Sequence, residues 1–443
     1  MNVKAVILAG GKGTRLGGLA TRVPKPLVRV HDRPVLEHQI ESLRRSGITD
    51  IVLAVGHLGD RIAGHFGDGS AFGVHITYLR EEQAMGTAGA LAGYRDQLAP
   101  YAVVLYGDLV VDMDFAQLIG FHAAGPSLCT LVVHPNNHPY DSDLLVLDDK
   151  QRVTEMISKK APRTGSHPNR VNAGIYVLDQ RALAGLTPGA PADLERDVVA
   201  PLIGSGAVTG YRSSEYIRDM GTPDRLRECG EDLARGVVAG RHRRRPQRAI
   251  FLDRDGTLNT YVGLLTRPEE LEIPAAVPAA IRAVNRAGLL AIVVSNQPVV
   301  ARNLCTEADV ERIHDHLETL LGQERAYVDA TFYCPHHPDR GYPEENPAYK
   351  IVCSCRKPGT AMVDQAVTQF NIDIGRSYFV GDTTVDIQTG RRAGLRTVLL
   401  KTGLAGRDGK YPGVTADLEA EDLAQAVDLI LAEQPGSLER TGR

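Results

Sequence analysis

The sequence predicts an α/β protein made of two domains, each with a mostly parallel sheet. Two observations support this prediction. Short β-branched runs alternate with amphipathic segments from residue 3 to about residue 235, and a second alternation begins at Ala249. The chain has 443 residues, which is enough for two or three domains of roughly 100–200 residues each. More than one active site is therefore expected.

The first alternation predicts strands at 3–9, 51–55, 74–79 and 102–106. Between the first two, Leu36, Ile40 and Leu43 recur at helical spacing after Pro34, and Gly47 supplies a stop signal. A strand, a helix and a second strand in this order form a βαβ unit, which favours parallel pairing.

The second alternation predicts strands at 249–252, 290–294, 328–333, 378–380 and 397–400. A helix is predicted at 307–321, opened by the capping pattern of Thr306 and Asp309. Residues 236–248 contain five arginines and few apolar residues. We therefore expect domains at 1–235 and 248–433, joined by a solvated basic linker at 236–247, and a flexible tail at 434–443. A patch that binds an anion or RNA is the alternative interpretation of the arginines.

The composition is that of a globular protein, with 43% hydrophobic and 23% charged residues, and it excludes disordered, collagen-like and coiled-coil chains. Lys plus Arg number 50 and Asp plus Glu 54, so there is no broad positive field for nucleic acid or a membrane. No apolar run approaches the roughly 18 residues of a membrane span, and residues 5–9 are too short for a signal peptide. We expect a cytoplasmic protein that acts on small molecules.

A glycine-rich loop follows the first strand and contains Gly10, Gly11, Gly13, Thr14, Arg15 and Leu16. Glycines at such a position let backbone N–H groups approach an anion at the carboxyl edge of a sheet. The loop is neither a Walker A motif nor a dinucleotide motif, because Val6 and Leu16 stand where these motifs need glycine.

Charged residues elsewhere in this half fit the binding of phosphates. Lys25 stands between two prolines, Asp108 follows an apolar strand, and Asp219 precedes a turn. Joining a sugar phosphate to a nucleoside triphosphate needs carboxylates that hold Mg²⁺ and cations that neutralise the departing pyrophosphate. Each of these residues alone would more often be an ordinary surface charge.

With these motifs in this order, residues 1–235 resemble the sugar-1-phosphate nucleotidyltransferase family. The resemblance implies a Rossmann-like three-layer α/β fold and attack of the sugar phosphate on the α-phosphorus of the triphosphate. It implies catalysis by Arg15 and Lys25, and Mg²⁺ binding by Asp108 and Asp219. The implied contacts to nucleotide and sugar are Gly10, Gly11, Gly13, Thr14, Gly86, Thr87 and Asn172.

Two further residues concern specificity in this half. The family's Glu-Lys pair is replaced here by Ser158 and Lys159, so Glu155 is our candidate for the missing carboxylate contact to sugar hydroxyls. Glu81 could accept hydrogen bonds from guanine, and the alternative is an ordinary exposed glutamate. GTP is the expected donor, because the half most resembles mannose-1-phosphate and heptose-1-phosphate guanylyltransferases.

In the second half, Asp253 and Asp255 follow a strand at i and i+2, so their side chains share a face of the extended chain. One carboxylate beside Mg²⁺ can attack phosphorus, while a second protonates the leaving oxygen and then activates water. Further polar residues follow in the order Ser295, Asn296, Lys357, Asp382 and Asp386. They offer a hydroxyl, an amide, a cation and metal-binding acids to a phosphoryl group.

This set resembles the haloacid dehalogenase (HAD) superfamily. The resemblance implies that Asp253 is the nucleophile and Asp255 the general acid and base, with Asp386 orienting the site. The implied contacts to the phosphoryl group are Ser295, Asn296 and Lys357. The implied Mg²⁺ ligands are Asp253, Asp255 through its carbonyl oxygen, and Asp382.

Three of the six cysteines cluster with a histidine in a proline-rich stretch: Cys334, His336, Cys353 and Cys355. Three thiols and an imidazole can close a tetrahedral structural Zn²⁺ site, which would order a stretch that has little else to hold it. Free cysteines beside a chance histidine are the alternative, and His337 is a competing ligand.

Together, these motifs resemble the D-glycero-D-manno-heptose 1,7-bisphosphate 7-phosphatases and histidinol phosphatases over about residues 248–402. In the heptose enzymes the equivalents of Arg302 and Arg356 engage the distal phosphate. The chain departs from that pattern at Pro298, which follows Gln297 where the family has a small glycine-containing turn.

Both resemblances fit one pathway. The C-terminal domain would remove the 7-phosphate of heptose 1,7-bisphosphate, and the N-terminal domain would transfer a nucleotidyl group, GMP from GTP, to heptose 1-phosphate. One alternative joins a hexose-1-phosphate nucleotidyltransferase to a histidinol-phosphate or other small-molecule phosphatase, and another makes the N-terminal domain a non-catalytic sugar-nucleotide sensor. The expected cofactors are Mg²⁺ in both sites and structural Zn²⁺; the expected partners are sugar phosphates and a nucleoside triphosphate, without nucleic acid or membrane.

Overall fold

The computed structural model describes residues 3–11, 23–56, 58–81, 83, 85–98, 100–341 and 345–433. They form two compact units. Unit 1 takes in the described residues up to His134, together with Asp143–Ser158 and Arg170–His242. Unit 2 takes in Pro135–Ser142, Lys159–Asn169 and the described residues from Arg243 onward.

Unit 1 is built on a mixed sheet. Its strands are β1 (Lys4–Leu8), β2 (Arg29–Val30), β3 (Arg33–Pro34), β4 (Asp50–Val55), β5 (His75–Arg80), β6 (Tyr101–Tyr106), β7 (Leu109–Asp112), β8 (Cys129–His134), β9 (Leu144–Leu147), β10 (Val153–Ile157), β11 (Val171–Asp179), β12 (Val208–Arg212) and β13 (Tyr216–Asp219). The main sheet has the order β10-β9-β11-β6-β1-β4-β5, with β8 between β11 and β12. β6, β1, β4 and β5 are parallel, and β11 runs antiparallel to β6. The four predicted strands of this half are thus confirmed, and they form one continuous parallel part of the sheet, while β12 pairs in parallel with β8 elsewhere in it.

The helices of unit 1 are α1 (Val35–Arg45), α2 (Gly59–Phe66), α3 (Gly86–Tyr94), α4 (Phe115–Ala123), α5 (Ala200–Leu202), α6 (Pro223–Ala234) and α7 (Val237–Gly240). The predicted apolar stripe of α1 is confirmed, because Leu36, Ile40 and Leu43 are all buried in the core. Gly47, two residues beyond the helix, has a φ of +82°, which glycine adopts without strain.

Unit 2 has a fully parallel sheet of β14 (Ala249–Leu252), β15 (Leu290–Asn296), β16 (Ala330–Cys334), β17 (Tyr378–Gly381), β18 (Arg396–Leu400) and β19 (Leu418–Ala420). The order is β16-β15-β14-β17-β18-β19. Its helices are α8 (Val277–Arg286), α9 (Glu307–Gln323), α10 (Ala361–Phe370), α11 (Thr384–Arg392) and α12 (Leu423–Ala432). Thr306 and Asp309 form the predicted capping box at the start of α9. Among the described residues, no helix combines the length and apolar character needed to cross a bilayer.

Part of the predicted basic linker is packed rather than solvated. Helix α7 lies within residues 236–247, and its Val238 is buried in the core of unit 1. Arg241 is also buried, and its Nε donates to the Ser214 carbonyl at 2.9 Å. The two consecutive valines at 237 and 238 explain the difference, since they give the arginine-rich stretch an apolar face. The predicted tail at 434–443 lies outside the described residues.

Two segments from the first half of the chain, Pro135–Ser142 and Lys159–Asn169, belong to unit 2 and pack on α9. Thr319 Oγ1 accepts from the His167 amide at 2.8 Å and donates to the His167 carbonyl at 3.0 Å. The Tyr140 hydroxyl donates to the Thr319 carbonyl at 3.1 Å. These contacts satisfy backbone groups that would otherwise need water.

Candidate active sites and metal centre

The parallel strands of unit 1 bring Gly10, Gly56 and Glu81 together just beyond the ends of β1, β4 and β5. A Cβ built on Gly10 would lie 3.2 Å from Glu81 Oε2 and 3.4 Å from the Gly56 nitrogen, so the backbones approach closely there. Burial raises the pKa of Glu81. Gly13 and Thr14, which were predicted to contact the nucleotide, and Arg15, which was predicted to be catalytic, lie outside the described residues.

Two carboxylates and two cations meet beyond β6. Lys25 is buried and forms an ion pair with Asp108. The Met220 amide donates to the Asp108 carbonyl at 3.0 Å, so β13 brings Asp219 beside Asp108. Arg225 Nη1 donates to both oxygens of Asp219 at 3.0 Å, a partner that the sequence analysis missed. The oxygen donors suit Mg²⁺, and the cations suit phosphate groups.

The segment predicted to hold base and sugar opens α3. Gly86 has a φ of +73°, and a Cβ on it would lie 2.4 Å from the Ala192 carbonyl oxygen. Glycine is therefore required here for both conformation and space. Thr87 Oγ1 accepts a hydrogen bond from the Leu194 amide at 2.7 Å. The Thr87 hydroxyl thus already has a partner within the protein.

Asn172 on β11 belongs to a hydrogen-bond network around Glu195. Its Nδ2 donates to the Tyr176 hydroxyl at 2.9 Å. The hydroxyls of Tyr176 and Tyr106 both donate to Glu195 Oε1, at 2.6 and 2.5 Å. Glu155, our candidate for the missing sugar carboxylate, is exposed on β10. Glu195 is the carboxylate linked to Asn172, and it replaces Glu155 as our candidate.

In unit 2, Lys357 joins the predicted nucleophile to a second acid. Its Nζ lies 2.8 Å from Asp253 Oδ1 and 2.6 Å from Asp386 Oδ1. The other oxygen of Asp386 accepts from the amide and hydroxyl of Thr383 at 3.1 and 2.6 Å, at the start of α11. Burial and the nearby Asp386 raise the pKa of Asp253. With both oxygens engaged, Asp386 is suited to orienting Lys357.

Asp382 has the surroundings of a cation ligand. Its Oδ2 accepts from the Leu404 amide at 2.7 Å, whereas Oδ1 is buried without a hydrogen-bond partner among the described residues. Asp253, Asp382 and Asp386 each offer an oxygen within 4.8 Å of the others. Burial and Asp253 raise the pKa of Asp382 to about 8. A buried oxygen without a partner is costly, and Mg²⁺ would satisfy it.

Asp255 and Ser295 are linked through a residue that spacing did not single out. Gln297 Nε2 donates to Asp255 Oδ2 at 2.9 Å and to Ser295 Oγ at 2.8 Å. One amide therefore fixes the distance between the predicted acid and a predicted phosphoryl contact.

Asn296 has a different partner from the phosphoryl oxygens proposed for it. Its Oδ1 accepts from the Lys357 amide at 2.9 Å, and its Nδ2 donates to the Lys357 carbonyl at 3.2 Å. Both ends of the Asn296 amide thus hold the backbone of Lys357. Asn296 therefore helps to position Lys357. Ser295 remains the candidate for a phosphoryl contact in this loop.

The four predicted zinc ligands form one cluster. The Cys355 sulfur lies 3.1 Å from that of Cys334, 3.2 Å from that of Cys353 and 3.4 Å from His336 Nδ1. These separations are far longer than a disulfide of about 2.05 Å, so the thiols are not bonded to one another, and all four ligand atoms lie within 4.8 Å of one another. Three thiols and an imidazole are a donor set that suits Zn²⁺. His337 Nδ1 accepts instead from the Asp339 amide at 3.1 Å. His336, and not His337, is the histidine that lies with the three thiols.

Arg356 lies between the zinc cluster and Lys357 in sequence, and its Nη1 donates to the His336 carbonyl at 3.1 Å. Burial, followed by the charge of Arg356, lowers the pKa of His337 to about 4. The charge of Arg302 acts on both His337 and Arg356. Arg302 and Arg356 are thus close enough to influence each other electrostatically, and two neighbouring guanidinium groups suit the binding of a phosphate.

Comparison with known families finds a different family in each half of the chain. The nucleotidyl transferase family model matches residues 4–236, and the HAD-hydrolase-like model matches residues 354–426. The mannose-1-phosphate guanylyltransferase of Mycobacterium tuberculosis is 34% identical over 53% of this chain and 66% of its own length. A rice relative described as a probable mannose-1-phosphate guanylyltransferase is 33% identical over 50% of this chain and 62% of its own length. The chain thus spans just under two thirds of these guanylyltransferases.

The C-terminal half has its own relatives. The D-glycero-D-manno-heptose-1,7-bisphosphate 7-phosphatase of Chlorobaculum tepidum is 35% identical over 43% of this chain and 97% of its own length. The solved D,D-heptose 1,7-bisphosphate phosphatase of B. bronchiseptica is 31% identical, with a TM-score of 0.37, over 42% of this chain and 99% of that one. The chain therefore belongs to the nucleotidyl transferase family and carries, fused behind that domain, a second enzymatic domain of the HAD-like phosphatase family.

Proposed function

We propose that this chain catalyses two consecutive steps on one sugar. Unit 2 hydrolyses the 7-phosphate of D-glycero-D-manno-heptose 1,7-bisphosphate, and the N-terminal transferase moves GMP from GTP to the remaining heptose 1-phosphate. The observation that carries the proposal is the union, in one chain, of a half related to a mannose-1-phosphate guanylyltransferase and a half related to a heptose bisphosphate 7-phosphatase. Heptose 1-phosphate, the product of unit 2, is then the substrate of the N-terminal transferase.

In the phosphatase, Asp253 attacks the 7-phosphorus and the bond to the sugar oxygen breaks. Asp255 gives its proton to that oxygen, then takes one from the water that hydrolyses the aspartyl phosphate. Lys357 and Ser295 stabilise the phosphoryl oxygens. Mg²⁺ held by Asp253, Asp382 and the Asp255 carbonyl would supply positive charge to the same group. Asp255 therefore ends the reaction cycle in the protonated form in which it began.

The distal phosphate identifies the substrate class. A sugar bisphosphate leaves one dianion outside the catalytic centre, and a dianion binds poorly unless cations meet it. Arg302 and Arg356 supply that charge beside the zinc cluster. Zn²⁺ on the cluster would hold the loop that carries Arg356 and, one residue later, Lys357.

In the transferase, an oxygen of the sugar 1-phosphate attacks the α-phosphorus of GTP and pyrophosphate leaves. Lys25 and Arg15 neutralise the phosphates. Asp108 and Asp219 would hold Mg²⁺, which would supply further positive charge to the phosphates. Glu81 accepts from the guanine N1–H and N2–H₂. Asn172 and Glu195 bind sugar hydroxyls in place of the carboxylate that Ser158 lacks.

The order of the two steps follows from the charge of the sugar subsite. Asn172 and Glu195 offer no cation to a second phosphate, so the bisphosphate should be a poor substrate for the transferase. The test is mass spectrometry of the products from heptose 1,7-bisphosphate with each nucleoside triphosphate in turn. Asp253→Asn protein should make little GDP-heptose until full-length Asp108→Asn protein is added. Direct conversion of the bisphosphate to a GDP-heptose phosphate by Asp253→Asn alone, at the wild-type rate, would contradict the proposed order.

A further inference from the structure

The residue between the two catalytic acids, Arg254, is fully buried with 0% of its surface exposed. A buried guanidinium is costly unless it is paired and its N–H groups are satisfied. Here Arg254 Nε donates to Asp255 Oδ1 at 3.0 Å, and Nη2 donates to Asp255 Oδ1 and Oδ2 at 2.9 Å. Arg254 therefore binds the carboxyl group of Asp255 from the interior of the protein.

The same carboxyl group has two further donors. Asn259 Nδ2 donates to Asp255 Oδ1 at 3.1 Å, and Gln297 Nε2 donates to Oδ2 at 2.9 Å. Since Gln297 also donates to Ser295 Oγ, Oδ2 lies on the side of the predicted phosphoryl contact. Arg254 contacts both oxygens of Asp255, Asn259 contacts Oδ1, and Gln297 contacts Oδ2. The carboxyl group is therefore held in one orientation, with Oδ2 on the side of Ser295.

Arg254 is in turn fixed by a histidine from α9. Its Nη1 donates to His314 Nε2 at 3.3 Å. Burial, followed by the charge of Arg254, lowers the pKa of His314 well below its ordinary value. The imidazole is therefore neutral and accepts at Nε2, with its proton on Nδ1. The ring of Tyr333, 5.2 Å away between centroids, packs against it.

We propose that Arg254 and His314 are positioning residues that aim the carboxyl group of Asp255 at the leaving oxygen of the phosphate ester. The inference rests on the phosphatase chemistry proposed above, in which Asp255 is the general acid. Proton delivery requires the acid within hydrogen-bond reach of the departing oxygen, and a misplacement of about 1 Å can cost about 10²-fold in rate.

Leaving groups separate this role from a purely structural one. A sugar alkoxide needs a proton as it departs, whereas 2,4-dinitrophenolate is stable without one. The ratio kcat/KM reports the steps up to breakage of the ester bond, so it excludes the later hydrolysis of the aspartyl phosphate. Comparing kcat/KM for heptose 1,7-bisphosphate and 2,4-dinitrophenyl phosphate in one preparation also cancels any loss of folded protein.

The variants are Arg254→Lys, His314→Leu and His314→Gln in the full chain with Mg²⁺. Asp255→Asn shows the effect of losing the general acid altogether. We expect Arg254→Lys to lower kcat/KM for the sugar ester about 10²-fold and for the dinitrophenyl ester by less than about threefold. His314→Leu should act in the same direction, and His314→Gln, which keeps an acceptor for Nη1, should restore the ratio of the two values toward wild type.

Equal losses on both esters in Arg254→Lys and His314→Leu would overturn the positioning role, and so would unchanged values on both. If Arg254→Lys fails to fold, the two His314 variants decide between these outcomes alone. Wild-type protein that hydrolyses neither ester would overturn the proposed phosphatase function itself, and the inference with it.

Discussion

Removing the amino group of Lys357 should destabilise unit 2 severely when Mg²⁺ is absent. The side chain of Lys357 is 3% exposed, and its Nζ lies 2.8 Å from Asp253 and 2.6 Å from Asp386. In Lys357→Met these two carboxylates and Asp382 would share a buried site without that cation. Removing one partner of a buried ion pair costs about 3–5 kcal/mol. At about 1.36 kcal/mol per tenfold change, the opening equilibrium should rise roughly 10²- to 10⁴-fold.

Hydrogen exchange measured by mass spectrometry can localise this effect to unit 2. The amides of β14 (Ala249–Leu252) are paired between β15 and β17, so they exchange when the sheet opens. We expect them to exchange faster in Lys357→Met by the factor above, and Mg²⁺ should reduce the difference because it supplies charge to the same carboxylates. The matched control is Lys401→Met, since Lys401 pairs with Glu421 at 2.7 Å on the surface. That change should cost less than about 1 kcal/mol.

The reasoning fails if Lys357→Met exchanges in β14 no faster than Lys401→Met in Mg²⁺-free buffer. It also fails if Mg²⁺ leaves a large difference between Lys357→Met and wild type unchanged. In the first case the three acids would tolerate one another without the cation, and in the second the acids would not be the ligands of the metal.

The remaining predictions concern the two activities, the zinc cluster and pH. Asp253→Asn should abolish phosphate release yet leave nucleotidyl transfer to supplied heptose 1-phosphate nearly intact, and Asp108→Asn should do the reverse; loss of both in one folded variant would contradict separate sites. Purified protein should retain about one Zn²⁺ per chain after dialysis, and replacing Cys353 and Cys355 by Ser should release it and lower phosphatase activity, whereas zinc-free protein with full activity would refute the site. Burial raises the pKa of Asp382 from 3.8 to about 8, so the metal-free folded state holds a proton that the unfolded chain has lost. Urea unfolding of metal-free protein should therefore show stability falling as pH rises across that interval, and a rise instead would contradict the assignment.

The fold was predictable because its signals are local. The apolar stripe at Leu36, Ile40 and Leu43 and the capping pair Thr306 and Asp309 each lie within a few residues, and both are confirmed. The antiparallel strands that complete the sheet of unit 1 were not predicted, since the pairing of β11 with β6 joins residues about 70 positions apart. The linker prediction failed in part, because two valines outweigh the neighbouring arginines locally.

The candidate site residues were predictable where a motif follows a strand. They were not predictable where a residue acts by hydrogen-bonding to another residue of the protein. Asp108 and Asp253 follow β6 and β14 closely, and Lys25 and Lys357 reach them from turns elsewhere in the chain. The position of Asn296 in the sequence predicts a phosphoryl contact. It cannot show that the side-chain amide is hydrogen-bonded to the backbone of Lys357 instead. Glu195 lies in no recognisable sequence motif, and its position near Asn172 is visible only from the two tyrosines that donate to it.

The two segments that pack on α9 make the phosphatase a discontinuous domain. Residues Pro135–Ser142 and Lys159–Asn169 precede the strand β14 by about 80 positions or more, yet they belong with it physically. A C-terminal fragment that begins at Arg243 would lack these two segments. Its Thr319 would then be without the backbone partners that His167 supplies. The chain passes between the two units at five junctions, after residues 134, 142, 158, 169 and 242. Exchanging the halves of this enzyme with those of a relative therefore requires all five junctions to be matched, and a single splice after residue 242 would divide a folded unit.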